Sequence, residues 1–271
     1  MLKNHVISWS GGKDSTATII LFHEHEKELL KEGEEVIILY SEVMFDTKKN
    51  IPGTNPKIRD FIYEKKAVFE SWGYTVEILR ADGKYKDFLD FFNHPLNERA
   101  APERVGKKHG FPLSKGMCGI KRELKEKPMK KWFERNTDER IEYVGLAIDE
   151  PKRLESLHKQ KGKISLLERY SLTEEDARNL CIEYGMLSPQ YSLKGQKRDG
   201  CWFCPYAKLV EHQNIRELYP KAWKKYVSLE NEDLAYKKWN PYTKETLKQR
   251  DEILRLGYKQ WNIYDVLDIA A

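Results

Sequence analysis

The chain reads as an α/β protein: a parallel sheet with helices on both faces, followed by a helical C-terminal subdomain. Three observations predict this. A short apolar strand at residues 5–9 runs through a glycine turn straight into a helical pattern. The run Val36-Ile37-Ile38-Leu39-Tyr40 is apolar without alternation, as expected of a strand buried on both faces of a parallel sheet. Strand-like and helix-like segments then alternate, the signature of parallel strands joined by crossover helices.

In chain order, Ala17, Ile20 and Leu21 space the first helix toward a core. A second helix is expected over residues 55–72, stopping at Gly73. Residues 75–79 and 141–146 read as the third and fourth strands. In such a sheet ligands bind beyond the carboxyl ends of the strands. The glycine turn, residues 40–46 and residues 145–153 are therefore expected around one cleft. From Leu154 onward no parallel strand is evident. Thr173 is a candidate N-cap with Asp176 three residues on, Ala177, Leu180, Cys181 and Tyr184 share a helical face, and Gly185 ends it. Trp223, Tyr226, Tyr236, Trp239, Trp261 and Tyr264 punctuate a lysine-rich helical tail. The division is thus 1–153, a nucleotide-binding α/β domain, and 154–271, a helical subdomain. No proline- or serine-rich linker separates them, which leaves open that they form one compact unit.

The turn reads Ser10-Gly11-Gly12-Lys13-Asp14-Ser15. Glycines at a strand–helix junction let bare backbone approach a ligand, and the helix N-terminus favours an anion. Lys13 adds a cation, Ser10 and Ser15 add hydroxyls, and phosphate is the natural guest. Asp14 is either a Mg²⁺ contact or a carboxylate stabilising a helix start. The spacing is neither that of a Walker A loop nor that of a dinucleotide fingerprint. This hexapeptide resembles the PP-loop of the ATP pyrophosphatase and phosphoadenylyl sulfate (PAPS) reductase superfamily. The resemblance implies an adenine nucleotide alpha-hydrolase-like fold and a loop that grips the phosphates or sulfate of an adenine nucleotide.

The chain has four cysteines: Cys118, Cys181, Cys201 and Cys204. In a cytosolic chain of this size a disulfide framework is not expected, and a metal site explains four cysteines acting together better. Cys201 and Cys204 form a C-x-x-C within GCWFCPY, suited to zinc, to an iron–sulfur cluster or to a redox pair. Cys118 and Cys181 complete a Cys₄ count with none to spare. Cys181 on its apolar helical face is equally readable as an ordinary core residue.

The resemblance extends to Asp46-Thr47 after the second strand, to Gly145-Leu146-Ala147-Ile148-Asp149-Glu150 with Arg153, and to Cys118 with Lys121 and Pro128. It covers residues 4–206. It implies Lys13, Asp14 and Asp149 as catalytic candidates, and Asp46, Gly145, Arg153 and Lys121 as further nucleotide contacts. It also implies ATP with Mg²⁺, or a sulfated adenylate, and a [4Fe–4S] cluster in the branch that includes the enzymes of DNA sulfur modification. Zinc is the structural alternative. The sulfonucleotide reductases use a nucleophilic cysteine near the C-terminus, and no cysteine follows Cys204. The activity implied is therefore ATP-dependent adenylation coupled to sulfur or related group transfer. A reductase-type enzyme and a nucleotide-binding sensor without turnover are the rivals.

A net charge of +5 with interspersed signs suits anionic ligands but is far from that of a chain built to coat nucleic acid. No apolar run approaches the length of a membrane span, and no leader is visible, so a cytoplasmic enzyme is the default. The expected partners are an adenine nucleotide and a sulfur-donor protein. Nucleic-acid binding by the aromatic, lysine-rich tail competes with the reading of those helices as amphipathic packing.

Overall fold

The computed structural model describes residues 4–97, 99, 101–114, 117–136, 139–192, 200–239 and 245–257. Trp261 and Tyr264 of the expected tail lie outside these. In chain order the strands are β1 (Asn4–Trp9), β2 (Val36–Ser41), β3 (Met44–Asp46), β4 (Ile51–Pro52), β5 (Thr75–Leu79), β6 (Lys108–Gly110), β7 (Leu113–Ser114), β8 (Met117–Cys118), β9 (Arg140–Tyr143), β10 (Lys163–Ile164) and β11 (Ala235–Lys237). The α-helices are α1 (Lys13–Leu21), α2 (Pro56–Ser71), α3 (Phe88–Asn93), α4 (Lys127–Arg135), α5 (Pro151–His158), α6 (Leu166–Arg169), α7 (Glu174–Glu183), α8 (Leu209–Leu218), α9 (Pro220–Ser228) and α10 (Leu247–Arg255).

The central sheet has the order β10-β9-β1-β2-β5 with every pairing parallel. The chain winds outward from β1 through β2 to β5, then returns to the other side of β1 to lay down β9 and β10. The winding therefore reverses between β1 and β9, the kind of switch point beyond whose strand ends sheets of this class bind ligands. Alternate residues of the central strands serve opposite faces. Ile7, Trp9, Ile38 and Tyr40 pack with α1, α2, α6 and α7. Val6, Ile37 and Leu39 pack with Trp132 of α4. Both faces are thus covered, as the unbroken apolar run in β2 predicts.

Local signals explain the helix ends. Asn55 caps α2 by accepting from the Lys57 N–H, and Pro56 fills the first position, where a missing N–H costs nothing. Thr173 and Asp176 form a reciprocal capping box on α7. Two expectations need correction. The strand predicted over 141–146 ends at Tyr143, because the Leu146 N–H turns back onto the Val144 carbonyl at 3.0 Å and takes Gly145 out of the ladder. A parallel strand does follow Leu154: β10, whose two residues are too few to carry a periodic signal. The segment from β10 to Met186 packs into the sheet's own core.

A second core, rich in aromatic rings, gathers Phe45, Phe88, Phe92, Phe203, Trp223 and Tyr226 among others. It joins the short hairpin β3–β4 to α3, to the turn after Gly200 and to α8, α9 and α10. Of the described tail aromatics, Trp223 and Tyr226 are fully buried there, Trp239 is partly buried and Tyr236 is exposed.

Candidate functional site

The loop after β1 turns because Gly11 adopts φ +78°, with no room for a Cβ: one would lie 2.6 Å from Ile62 Cδ1 of α2. Hydroxyls hold the loop from within. Ser15 Oγ accepts from the Ser10 N–H at 3.1 Å, donates to the Gly12 carbonyl at 3.1 Å and lies 3.0 Å from Ser10 Oγ. The Lys13 N–H donates to the Tyr191 hydroxyl at 3.0 Å. Gly145 packs straight onto the loop backbone, since a Cβ there would lie 2.6 Å from both Asp14 C and Ser15 N. Ser10 to Ser15 and Gly145 thus assemble at the carboxyl ends of the neighbouring strands β1 and β9.

Charge collects around Lys13. Its Nζ donates to Asp14 Oδ1 at 2.7 Å and to Glu174 Oε2 at 2.8 Å. Burial opposes the ammonium charge, but these two carboxylates outweigh it and hold the Lys13 pKa above the ordinary lysine value. Burial likewise pushes the Asp14 carboxyl up, with Lys13 opposing. Asp149 reaches the same place by another route. Its carboxylate accepts from the Glu174 N–H at 3.1 Å, so it caps the first turn of α7.

The remaining predicted contacts lie elsewhere. Asp46 Oδ1 accepts from the Lys49 N–H at 3.1 Å and closes the turn after β3. Arg153 is exposed and pairs with Glu150, the residue just before its helix. Lys121 pairs with Glu126 at 3.1 Å and faces the cysteines rather than the loop.

Three of the four cysteines line one cavity of about 340 Å³. Cys118 comes from β8, and Cys201 and Cys204 from the turn that follows Gly200. Tyr40 and Ser41 form part of its wall, and Tyr40 pairs in register with Trp9, the residue before the loop. Cavity and loop therefore share the carboxyl-terminal edge of the sheet. Lys121 and Lys125 stand at the wall, and the Lys121 N–H donates to Cys118 Sγ at 3.5 Å. Ser41 fixes this cysteine-bearing segment by donating to the Lys125 carbonyl at 3.0 Å. That carbonyl lies in the π-helical stretch Lys121–Glu126, just before Pro128, which has no N–H to offer the preceding turn.

Cys181 does not line this cavity. It is fully buried in the core beneath the loop, where its thiol donates to the Lys13 carbonyl at 3.3 Å. Burial pushes this thiol up to about 12. The helical-face reading of Cys181 as a core residue holds.

The donor set left is three thiols around one cavity, none of them in a disulfide. Among the described residues no three His, Cys, Asp or Glu side chains converge closely enough to hold a single metal ion.

Sequence reasoning missed Glu174, Gln190 and Tyr191. Gln190 is buried beside the loop, and its Oε1 has no hydrogen-bond partner among the described residues, which leaves an acceptor for a ligand. Only the turn chemistry of Ser188-Pro189 hints at this segment, in which Ser188 caps the turn by accepting from the Gln190 N–H.

No protein-family model matches the chain, nor does any curated protein. Among solved structures it is similar to the phosphoadenylyl-sulfate (PAPS) reductase from Candida auris in its phosphate complex, at 11% identity and a TM-score of 0.46, over 75% of this chain and 84% of that one. It is also similar to the U34-tRNA thiolase NcsA from Methanococcus maripaludis with its [4Fe–4S] cluster, at 15% identity and a TM-score of 0.41, over 95% and 82%. Both likenesses are loose. Among the described residues no helix is long and apolar enough to cross a membrane.

Proposed function

We propose that this chain is a PP-loop enzyme that adenylates a substrate with ATP and couples the step to sulfur or related group transfer, using an iron–sulfur cluster on Cys118, Cys201 and Cys204. One observation carries the reading: three thiols share a cavity on the same sheet edge as a loop built for phosphate. In the proposed reaction a substrate oxygen attacks the α-phosphorus of ATP, and the bond to pyrophosphate breaks. A sulfur nucleophile then displaces AMP. The Gly11–Gly12 backbone and the Ser10 and Ser15 hydroxyls fix the phosphates in line. Lys13, kept charged by its two carboxylates, neutralises charge growing on pyrophosphate. Asp14 faces the cation that accompanies ATP or braces Lys13, and Asp149 positions Glu174. A cluster bound by the three thiolates would supply a site that carries or activates sulfur.

A reductase of sulfated adenylates is disfavoured. It needs a nucleophilic thiol besides the cluster ligands, and Cys181, the one thiol outside the cavity, is fully buried. A sulfur-donor protein is the expected partner.

The test is anaerobic purification followed by iron, sulfide and zinc analysis per chain, with assay of AMP and pyrophosphate release. We expect iron and sulfide in the wild type and in Cys181→Ala, and their loss in Cys118→Ala and Cys201→Ala. Loss in Cys181→Ala equal to that in Cys201→Ala would restore the four-ligand quartet and sink the three-thiol reading. Zinc in place of iron would make the site structural. Tight ATP binding without AMP release under any sulfur donor would favour a sensor.

A further inference from the structure

The turn that carries Cys201 and Cys204 is held by hydrogen bonds within it and from the elements packed behind it. The Trp202 N–H donates to the Gly53 carbonyl at 2.8 Å, and its indole Nε1 donates to the Pro52 carbonyl at 2.9 Å, which ties the turn to β4. The Cys204 N–H donates to the Cys201 carbonyl at 2.9 Å, and the Ala207 N–H to the Cys204 carbonyl at 2.8 Å. Two side chains from the C-terminal helices complete the set. The Tyr226 hydroxyl of α9 donates to the Phe203 carbonyl at 2.5 Å. Arg250 Nη1 of α10 donates to the Ala207 carbonyl at 2.9 Å.

Both of these side chains are buried, and burying a guanidinium is costly unless every donor finds use. Arg250 is supplied with the Glu245 carboxylate at 3.1 Å, His212 Nδ1 at 3.2 Å and the face of Trp239, 5.6 Å from the ring centre. An apolar residue would fill the same core without that cost. The charged group survives where a carbonyl next to the C-x-x-C has to be held in one orientation.

We infer that Tyr226 and Arg250 are positioning residues for the Cys201–Cys204 pair: by fixing the Phe203 and Ala207 carbonyls they set the aim of the two thiols into the cavity. This rests on the cavity being a metal-cluster site. The helices after Lys208 then act as an outer layer around the cysteines, and metal sites lose roughly 10- to 100-fold in affinity when such supporting groups are removed.

The experiment compares anaerobically purified wild type, Tyr226→Phe, Arg250→Met and Arg250→Lys. Each is measured for iron and sulfide per chain, for visible and paramagnetic spectra, for the rate of iron loss to a chelator, and for melting of the metal-free chain. Tyr226→Phe deletes a single hydroxyl within the same ring volume. It should melt close to the wild type when metal-free, yet lose iron roughly 10-fold faster with an altered spectrum. Arg250→Met should behave likewise, and Arg250→Lys should recover part of the retention. If Arg250→Met fails to fold, Tyr226→Phe decides alone. A loaded wild type beside a Tyr226→Phe chain with the same spectrum and the same rate of iron loss would overturn the inference and leave the cavity reading intact. A wild type that takes up neither iron nor zinc would overturn the cavity reading and this inference with it.

Discussion

Gly145 shows how one residue links two strand ends into a site. Its Cα sits so close to the Asp14–Ser15 peptide that a methyl group would meet only backbone, at 2.6 to 2.8 Å. Backbone has no rotamer with which to step aside, so Gly145→Ala should cost about 1–3 kcal/mol of stability, the usual range for overpacking. It should also weaken nucleotide binding. Gly73→Ala is the contrast: φ is +91° with nothing within 4 Å, so the cost is backbone strain of about 1 kcal/mol and nucleotide binding is untouched. Urea denaturation and calorimetric titration with ATP would check both. Equal binding by the two variants would show that the contact does not shape the loop. At this scale the sequence was informative where residue type alone dictates geometry, as with Gly11 and the capping Thr173, whereas it placed Gly145 within a strand. It did not show that Asp46 closes a turn, because an aspartate that closes a turn and one that meets a ligand look alike without neighbours.

Among elements, α7 does the most to assemble the loop. Its first residue, Glu174, pairs with Lys13, its N-terminal N–H is capped by Asp149, and its inner face carries Cys181 against the Lys13 carbonyl. Asp149→Ala strips a cap from the helix start and should destabilise the fold by about 1 kcal/mol. Asp149→Asn keeps an acceptor oxygen and should lose less, and the two melting temperatures would tell. Equal losses would mean that charge rather than the hydrogen bond carries the effect. The helix itself was legible from its capping box and apolar face. Its partners were not, since the pairing of Lys13 with Glu174 spans 161 residues and leaves no local pattern. The same limit grouped Cys181 with the other cysteines: a count of thiols carries no information about which core each one enters. β10 escaped notice for a simpler reason, as two residues cannot show a period.

The whole molecule rests on two cores, one under the sheet and one behind the cysteines, and the second keeps a histidine dry. His212 is fully buried, and burial together with the Arg250 guanidinium pushes its pKa down to about 3. In the native chain it is neutral, while in the unfolded chain it takes up a proton below about 6.5. Its contribution to stability is therefore complete above that pH and is lost progressively as pH falls toward 3. The linkage is about 1.4 kcal/mol per pH unit while the unfolded state holds one more proton than the native state. His109, pushed down to about 4 by burial and by His94, acts in the same direction. Thermal melts at fixed ionic strength should thus show stability falling between pH 6 and pH 4, roughly the window of these two histidines. His212→Asn retains an acceptor for Arg250 and removes the titrating ring, so it should flatten that slope while lowering stability at neutral pH. An unchanged slope in His212→Asn would assign the acid sensitivity to carboxylates instead. Because the histidine and the arginine stand behind the Cys201–Cys204 turn, the same acidification should loosen the cysteine cavity before it disturbs the sheet. Hydrogen exchange at pH 4.5 should then show the amides of α8 and α10 opening ahead of those of β1 and β2.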